Sequence, residues 1–342
     1  MKVVFVAAAL LSANSVVLAQ AGDASPLSLE MRIALPNVHG RIDHVCADIP
    51  GNRIFVAAVD SGTVEVVDVK GHRRVHTIKD LSEPQGVLYE PSTRNLFVAS
   101  GDGTVKIFDG GNFDLLTTAV FPDDADNIRL DSRRQRIIVG YAGAKEQRKG
   151  TEGAGGLAVL DFTGKVVGEV VIDAHPESFQ IDGANDRIYV NVPDKKEIEV
   201  VDANNLTVIA KWPVTDAEGN FPMALDEARH RLLVGTWTPA RIQVRNSEDG
   251  SEFSSMDIAG RSDDIFIDGR RGRVYALATN GFLEVFDWSN PDALKRFAHI
   301  PTEQGTQTGM YVAEWERLFA LVRAQGAKNA EVRVYHAQEG AQ

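Results

Sequence analysis

Asn52-Arg53-Ile54-Phe55-Val56 is the first statement of a phrase that the chain repeats: one or two polar residues including Arg or Asn, then a β-rich apolar run. It returns as Arg94-Asn95-Leu96-Phe97-Val98, Gln135-Arg136-Ile137-Ile138-Val139 and Asp186-Arg187-Ile188-Tyr189-Val190. Three more copies follow: His230-Arg231-Leu232-Leu233-Val234, Gly272-Arg273-Val274-Tyr275-Ala276 and Glu316-Arg317-Leu318-Phe319-Ala320. Successive copies lie about 41 to 44 residues apart, with one step of about 51, which is the period of a four-stranded propeller blade. Seven copies therefore predict an all-β fold, a seven-bladed β-propeller.

Working outward from the phrase, each copy holds the same parts. A short strand ending in an acid precedes it, as in Val45 to Asp48, Val87 to Glu90, Ile128 to Asp131, Phe179 to Asp182 and Ile265 to Asp268. A third strand ending in Asp follows it, as in Val64 to Asp68, Val105 to Asp109, Leu157 to Asp161, Ile198 to Asp202 and Leu283 to Asp287. A less regular fourth strand completes the unit, such as Arg74 to Ile78 or Val208 to Trp212. The terminal acids read as turn formers, whose side chains bond nearby backbone amides. The seventh copy stops after its third strand, Glu331 to Tyr335, while Leu27 to Leu35 is an orphan strand ahead of the first copy. Pairing the two would supply the missing fourth strand and close the ring. Val312, Trp315, Leu318, Phe319 and Val322 follow helical spacing, but their place in the seventh copy overrules it.

These repeats resemble the YVTN-type propellers of bacterial secreted proteins, with Ile188-Tyr189-Val190-Asn191 and Val200-Val201-Asp202 the nearest matches. The resemblance spans nearly the whole chain after its first segment, with Gly272 to Ala276 and Arg241 to Asn246 matching loosely. It implies fold and export; that family has no single activity, so function is argued from the site.

Residues 1–21 read as an export signal: Lys2, an apolar run from Val3 to Leu11, and small residues at Ala19 and Ala21. The expected location is periplasmic or secreted. Residues 27–337 then form one propeller domain and 338–342 a polar tail. The apolar start is short and broken by Ser12, Asn14 and Ser15, so no membrane insertion is expected. Cys46 is the single cysteine, which leaves no intramolecular disulfide and makes packing the source of stability. A formal charge of -12 repels phosphate backbones, so nucleic acid is not an expected partner. A closed ring without a free edge leaves the monomer as the expected state.

In a propeller the connections leading into the innermost strands share a top face around the central channel. Aligning those seven connections gives one column, Asp43, Gln85, Asp126, Glu177, Phe221, Asp263 and Thr308, and a second, His44, Gly86, Asn127, Ser178, Pro222, Asp264 and Gly309. Acids dominate the first column. Carboxylates crowded at one mouth either take up protons or hold a cation. Asp126, Glu177, Asp263 and Asp264 are the candidate metal ligands, and oxygen donors of this kind suit a divalent cation such as Ca²⁺ or Mg²⁺. A wide, wet mouth with solvated acids is the competing reading. His44 and His175 beside it could act as base or ligand, or make ordinary hydrogen bonds, and Asp126 is the third candidate for catalysis. Arg41 and Arg261 approach the first and sixth blades, where they could neutralise the acids or grip an anion, and Gln85 and Asn127 add ligand-binding amides. Trp237 could stack on a sugar or ring, or pack between blades. The long third step places an insertion between Gly140 and Gly156, including Lys145, Arg148 and Lys149, that could serve as a basic lid or be a plain hairpin.

Absent motifs narrow the chemistry. There is no Cys-x-x-Cys-His for haem, no phosphate-cradling Lys-Ser or Lys-Thr loop for a nucleotide, no Gly-x-Ser-x-Gly elbow and no His-Glu-x-x-His zinc site. The leading expectation is a binding module that takes a small molecule, a cation or a protein on its top face. The alternative is a metal-dependent lactone or ester hydrolase, since propeller gluconolactonases resemble this chain in fold and use a channel metal held by carboxylates and amides. That resemblance would make Glu177, Asn127 and Asp263 or Asp264 ligands and Asp126 the activator of water, although those enzymes have six blades. A subunit of a quinone-type propeller oxidoreductase is a third reading.

Overall fold

The repeated apolar run becomes the second strand of every blade because both of its faces are covered by neighbouring blades. In Arg53–Ala58 every residue after the arginine is buried, and Asn95–Ser100 and Arg187–Val192 show the same pattern. A strand covered on both sides has no reason to alternate, which is why the signal is a run and not a period of two. Outer strands behave differently: Leu115–Val120 is exposed at every position except Ala119. The structure, a computed structural model, describes residues 25–143 and 153–339. Residues 1–21, read above as an export signal, and the insertion residues Lys145, Arg148 and Lys149 lie outside the described residues.

Seven antiparallel four-stranded sheets make the ring. Blade 1 is Val45–Asp48, Arg53–Ala58, Thr63–Asp68 and Arg73–Ile78; blade 2 is Pro84–Glu90, Asn95–Ser100, Thr104–Asp109 and Leu115–Val120. Blade 3 is Asp123–Asp131, Arg136–Ala142, Gly155–Leu160 and Val166–Ile172; blade 4 is Phe179–Asp182, Arg187–Val192, Glu197–Asp202 and Thr207–Pro213. Blade 5 is Glu218–Asp226, Arg231–Thr238, Ala240–Asn246 and Glu252–Asp257; blade 6 is Ile265–Asp268, Arg273–Ala278, Phe282–Asp287 and Lys295–Pro301. Blade 7 is Gly309–Val312, Arg317–Val322 and Ala330–Ala337, completed by Leu27–Leu35 from the other end of the chain. The closing pair runs antiparallel from Leu27 opposite Ala337 to Leu35 opposite Ala330. The helical spacing around Trp315 is produced by one turn of 3-10 helix, Ala313–Trp315, set between two strands.

The core is divided among the blade interfaces. Ile33 and Leu35 of the closing strand pack with Ile54 and Val56 of blade 1 and with Phe319 and Val332 of blade 7. Between blades 2 and 3 the cluster is built on Phe97, Ile107, Ile128 and Ile137. Residues 338 and 339 contact the ring: Gln338 Nε2 donates to Ser28 Oγ at 2.7 Å, and Glu339 lies 3.0 Å from Arg270.

The polar half of the phrase has two separate jobs. Its first residue turns the chain in the left-handed region: Asn52, Arg94, Gln135, Asp186, His230, Gly272 and Glu316 all have φ between 51 and 60°. Its second residue clasps the next blade. Arg53 donates to the Gly110 carbonyl at 2.9 Å, Asn95 to Phe162 at 3.1 Å and Arg187 to Glu248 at 3.0 Å. Arg273 does the same to Gln338 at 2.7 Å. Acids at the strand ends cap the turns as expected, with Asp48 accepting from Gly51 N at 2.9 Å and Asp182 from Asn185 N at 2.9 Å.

Candidate functional site

The first column of the sequence alignment is fixed in space by backbone bonds that prolong each blade inward. Asp43 N donates to the Ala57 carbonyl at 2.9 Å, and Glu177 N to Asn191 at 2.9 Å. Adjacent blades are also linked here, through His44 N to Gln85 O at 3.3 Å and Asp263 N to Gln307 O at 3.1 Å. The side chains so placed surround one cavity of about 250 Å³. Arg41, Asp43, His44, Gln85, Asp126, Asn127, His175, Glu177, Phe221, Trp237 and Asp263 all line it. Six blades contribute these residues, although they span most of the sequence.

Within the cavity wall His44 stands among carboxylates. Its Nε2 lies 3.7 Å from Asp126 Oδ1 and 3.9 Å from Asp43 Oδ1, and its Nδ1 lies 3.9 Å from Asp264 Oδ1. Burial disfavours its cation, but Asp43, Asp264 and Asp126 outweigh that and raise its pKa. The acids are pushed the same way. Burial, with further repulsion from Asp43 and Asp124, lifts Asp126 to about 7 against the pull of His44. Burial and repulsion from Asp43 and Asp264 lift Asp263 to about 8. Glu177 is held well above the usual carboxyl range by burial and by Asp126, Asp263 and Asp43. Burial raises Asp264 as well, opposed by His44 and by a hydrogen bond from Gly309 N at 3.0 Å.

Three oxygens in this wall, Oδ1 of Asp126, of Asn127 and of Asp263, have no hydrogen-bond partner among the described residues. Asp126 is 8% exposed and Asn127 is 2% exposed, yet Oδ1 of each is unbonded. Buried oxygens of this kind carry a desolvation cost that a donor or a cation in the cavity would relieve. The donor chemistry suits a hard cation. The spacing does not suit a bare one: among the described residues, the three carboxylates whose oxygens lie within 4.8 Å of one another are Asp173, Glu197 and Glu199, at a different place. Lys211 supplies the positive charge there, hydrogen-bonded to Asp173 and with Nζ 3.5 Å from Glu199. The mouth acids instead ring a volume that holds about eight waters at liquid density.

The remaining candidates fall into place around that volume. Arg41 Nη2 donates to Gln85 Oε1 at 2.6 Å and lies 3.7 Å from Asp43. Arg261 is outside the cavity lining; its Cζ sits 4.8 Å from the Trp237 ring centroid. Phe221 stacks on the same indole at 3.9 Å, and Nε1 donates to the Ser262 carbonyl at 3.1 Å. Trp237 thus takes its stacking partners from the protein itself. Cys46 is buried, and that burial pushes its thiol far up, so it is no nucleophile.

No family model and no curated protein matches the chain. Among solved structures, a chain of the Mitotic Checkpoint Complex is similar, with a TM-score of 0.73 at 12% identity over 98% of each chain. The Cps50 (Swd1) β-propeller domain of Myceliophteria thermophila gives 0.69 at 14% identity, over 92% of this chain and 100% of that one. At such identities the likeness is one of fold. The chain is a seven-bladed β-propeller.

Sequence reasoning passed over several residues of the site. Asp124 and Gln307 line the cavity, with Asp124 accepting from Gln85 and Gln307 donating to Asp263. Deeper in the channel, Arg129 and Gln180 occupy the second position of the innermost strands, a column otherwise filled by Cys46, Leu88, Ala224, Phe266 and Met310. Polarity against that apolar column was the signal available for both.

Proposed function

We propose that this propeller is a binding module whose top-face cavity takes a small ligand bearing positive charge, either an organic ammonium or a hydrated divalent cation. The observation that carries the reading is the set of unbonded buried oxygens on Asp126, Asn127 and Asp263, in a wall shared with Asp43 and Glu177. A cation there would satisfy the oxygens and let the carboxyls ionise together. A lysine side chain of a protein partner offers the same chemistry in macromolecular form. The leader-like residues 1–21 and the YVTN-like repeats support action outside the cytoplasm, in the periplasm or beyond the cell. Among the described residues no helix is long and apolar enough to cross a membrane.

Thermal unfolding of the full chain with CaCl2, MgCl2 or butylammonium chloride at fixed ionic strength tests the reading. A saturable rise in melting temperature is expected, weakened at least about tenfold in apparent affinity by Asp126→Asn and by Glu177→Gln. Saturation by butylammonium alone identifies an organic cation, and saturation by a divalent ion alone a metal. No saturable response, or one that both variants retain, removes the proposal. The hydrolase reading draws on the same mixed carboxylate and amide oxygens. A seated divalent cation would supply Lewis-acid chemistry, and lactone hydrolysis lost in Asp126→Asn with folding intact would favour that reading.

A further inference from the structure

The innermost strands of all seven blades also enclose a second cavity, of about 240 Å³, and His44 lines both. Its walls combine the apolar Val45, Val87, Met223, Ile265, Phe266 and Met310 with the polar His44, Gln180 and Asp264. The guanidinium of Arg129 stands among them. Arg129 Nη1 donates to the neighbouring Ile128 carbonyl at 3.1 Å, and its Cζ lies 5.8 Å from the Phe179 ring centroid. Among the described residues no carboxylate comes within ion-pair distance of it; Asp264 and Asp126 act on it only through space. Gln180 spends one of its two amide donors on the Met223 carbonyl at 2.7 Å.

A guanidinium has five N–H donors in a planar fork, and here one has a protein acceptor. Arg129 is half-buried, and donors left without a protein acceptor in such a pocket favour an anion. A carboxylate matches the fork with two parallel hydrogen bonds. A doubly charged phosphate would need a further cation beside Arg129, and it would suffer more than a single carboxylate from the Asp264 carboxyl in the same wall. We propose that this lower chamber binds a small organic acid, with the carboxylate on Arg129 and an apolar body against the channel walls. The volume, worth about eight waters, sets the size to a compact acid.

This site is independent of the cation proposal, and its test keeps the two apart. Isothermal titration of the full chain with sodium benzoate and sodium isobutyrate, against sodium phosphate at matched ionic strength, should show saturable binding of a carboxylate and none of phosphate. Arg129→Met should abolish that binding, and Arg129→Lys, which keeps the charge without the fork, should weaken it about tenfold or more. Arg129→Lys, which keeps the charge that acts through space on Asp126 and Asp264, should keep the wild-type response of the upper cavity to cations, and Arg129→Met, which removes that charge, should tighten it. If Arg129→Met does not fold, the Arg129→Lys comparison decides. Carboxylate affinity unchanged in Arg129→Lys or Arg129→Met, binding of phosphate in preference, or no binding of either carboxylate overturns the proposal.

Discussion

His44 lies within 4 Å of three carboxylates that come from three different blades, and none of them is in hydrogen-bond contact with it. Such an arrangement stores protons. Asp126 at about 7, Asp263 at about 8 and Glu177 higher than usual keep protons that the unfolded chain releases near pH 4. Their contribution to stability is complete below about pH 4 and is lost as pH rises through the folded values. His44, also raised, acts in the same direction. Wild-type protein without added cation should therefore lose stability between pH 5 and pH 8 in urea denaturation. Glu177→Gln should remove part of that slope, being more stable than wild type at pH 8 by on the order of 1–3 kcal/mol and nearly equal at pH 5. Equal slopes would mean that the carboxyl does not hold its proton. The columns of blades 1 to 6 were legible in sequence because the strand register places equivalent positions on one rim, whatever they bond to; in blade 7 the register sets Gln307 and Thr308 where the sequence alignment put Thr308 and Gly309. Arg129 was legible only as a polar residue in an apolar column, because what it leaves unbonded is set by the packing.

Among the elements, Leu27–Leu35 has the largest consequence for its length. It is the only strand of its sheet drawn from the far end of the chain, and it buries Ile33 and Leu35 between blades 7 and 1. Ile33→Ala should cost about 2–4 kcal/mol, read from the urea midpoint, because the blades on either side cannot close over the gap. Leu29→Ala, at a position 43% exposed, should change stability by no more than about 0.5 kcal/mol. Similar losses at the two positions would show that the strand does not seal the ring. Its pairing was readable because the seventh copy lacked a fourth strand and the first had one to spare. The clasping role of the phrase was hidden. Arg53, Arg187 and Arg273 each reach a different blade from their own, and a repeat pattern reports recurrence without naming the partner.

At the scale of the whole molecule, the ring turns a repeat into a site. One lead-in residue from each of several blades would be an unremarkable surface acid in isolation; seven-fold closure brings Asp43, Asp126, Glu177 and Asp263 around a single volume. Fold and convergence followed from counting repeats, whereas the ligand did not, since propellers of similar shape share 12 to 14% identity with this chain and only the fold with it. If the cavity takes a cation, binding must displace protons, and affinity must rise with pH by up to about tenfold per unit for each proton released. Calorimetric titration with butylammonium and with Ca²⁺ at pH 6 and pH 8, in buffers of different ionisation enthalpy, measures this directly. Tighter binding of one probe at pH 8 with net proton release is the predicted result; binding that is indifferent to pH, stronger at pH 6, or absent for both probes would contradict it.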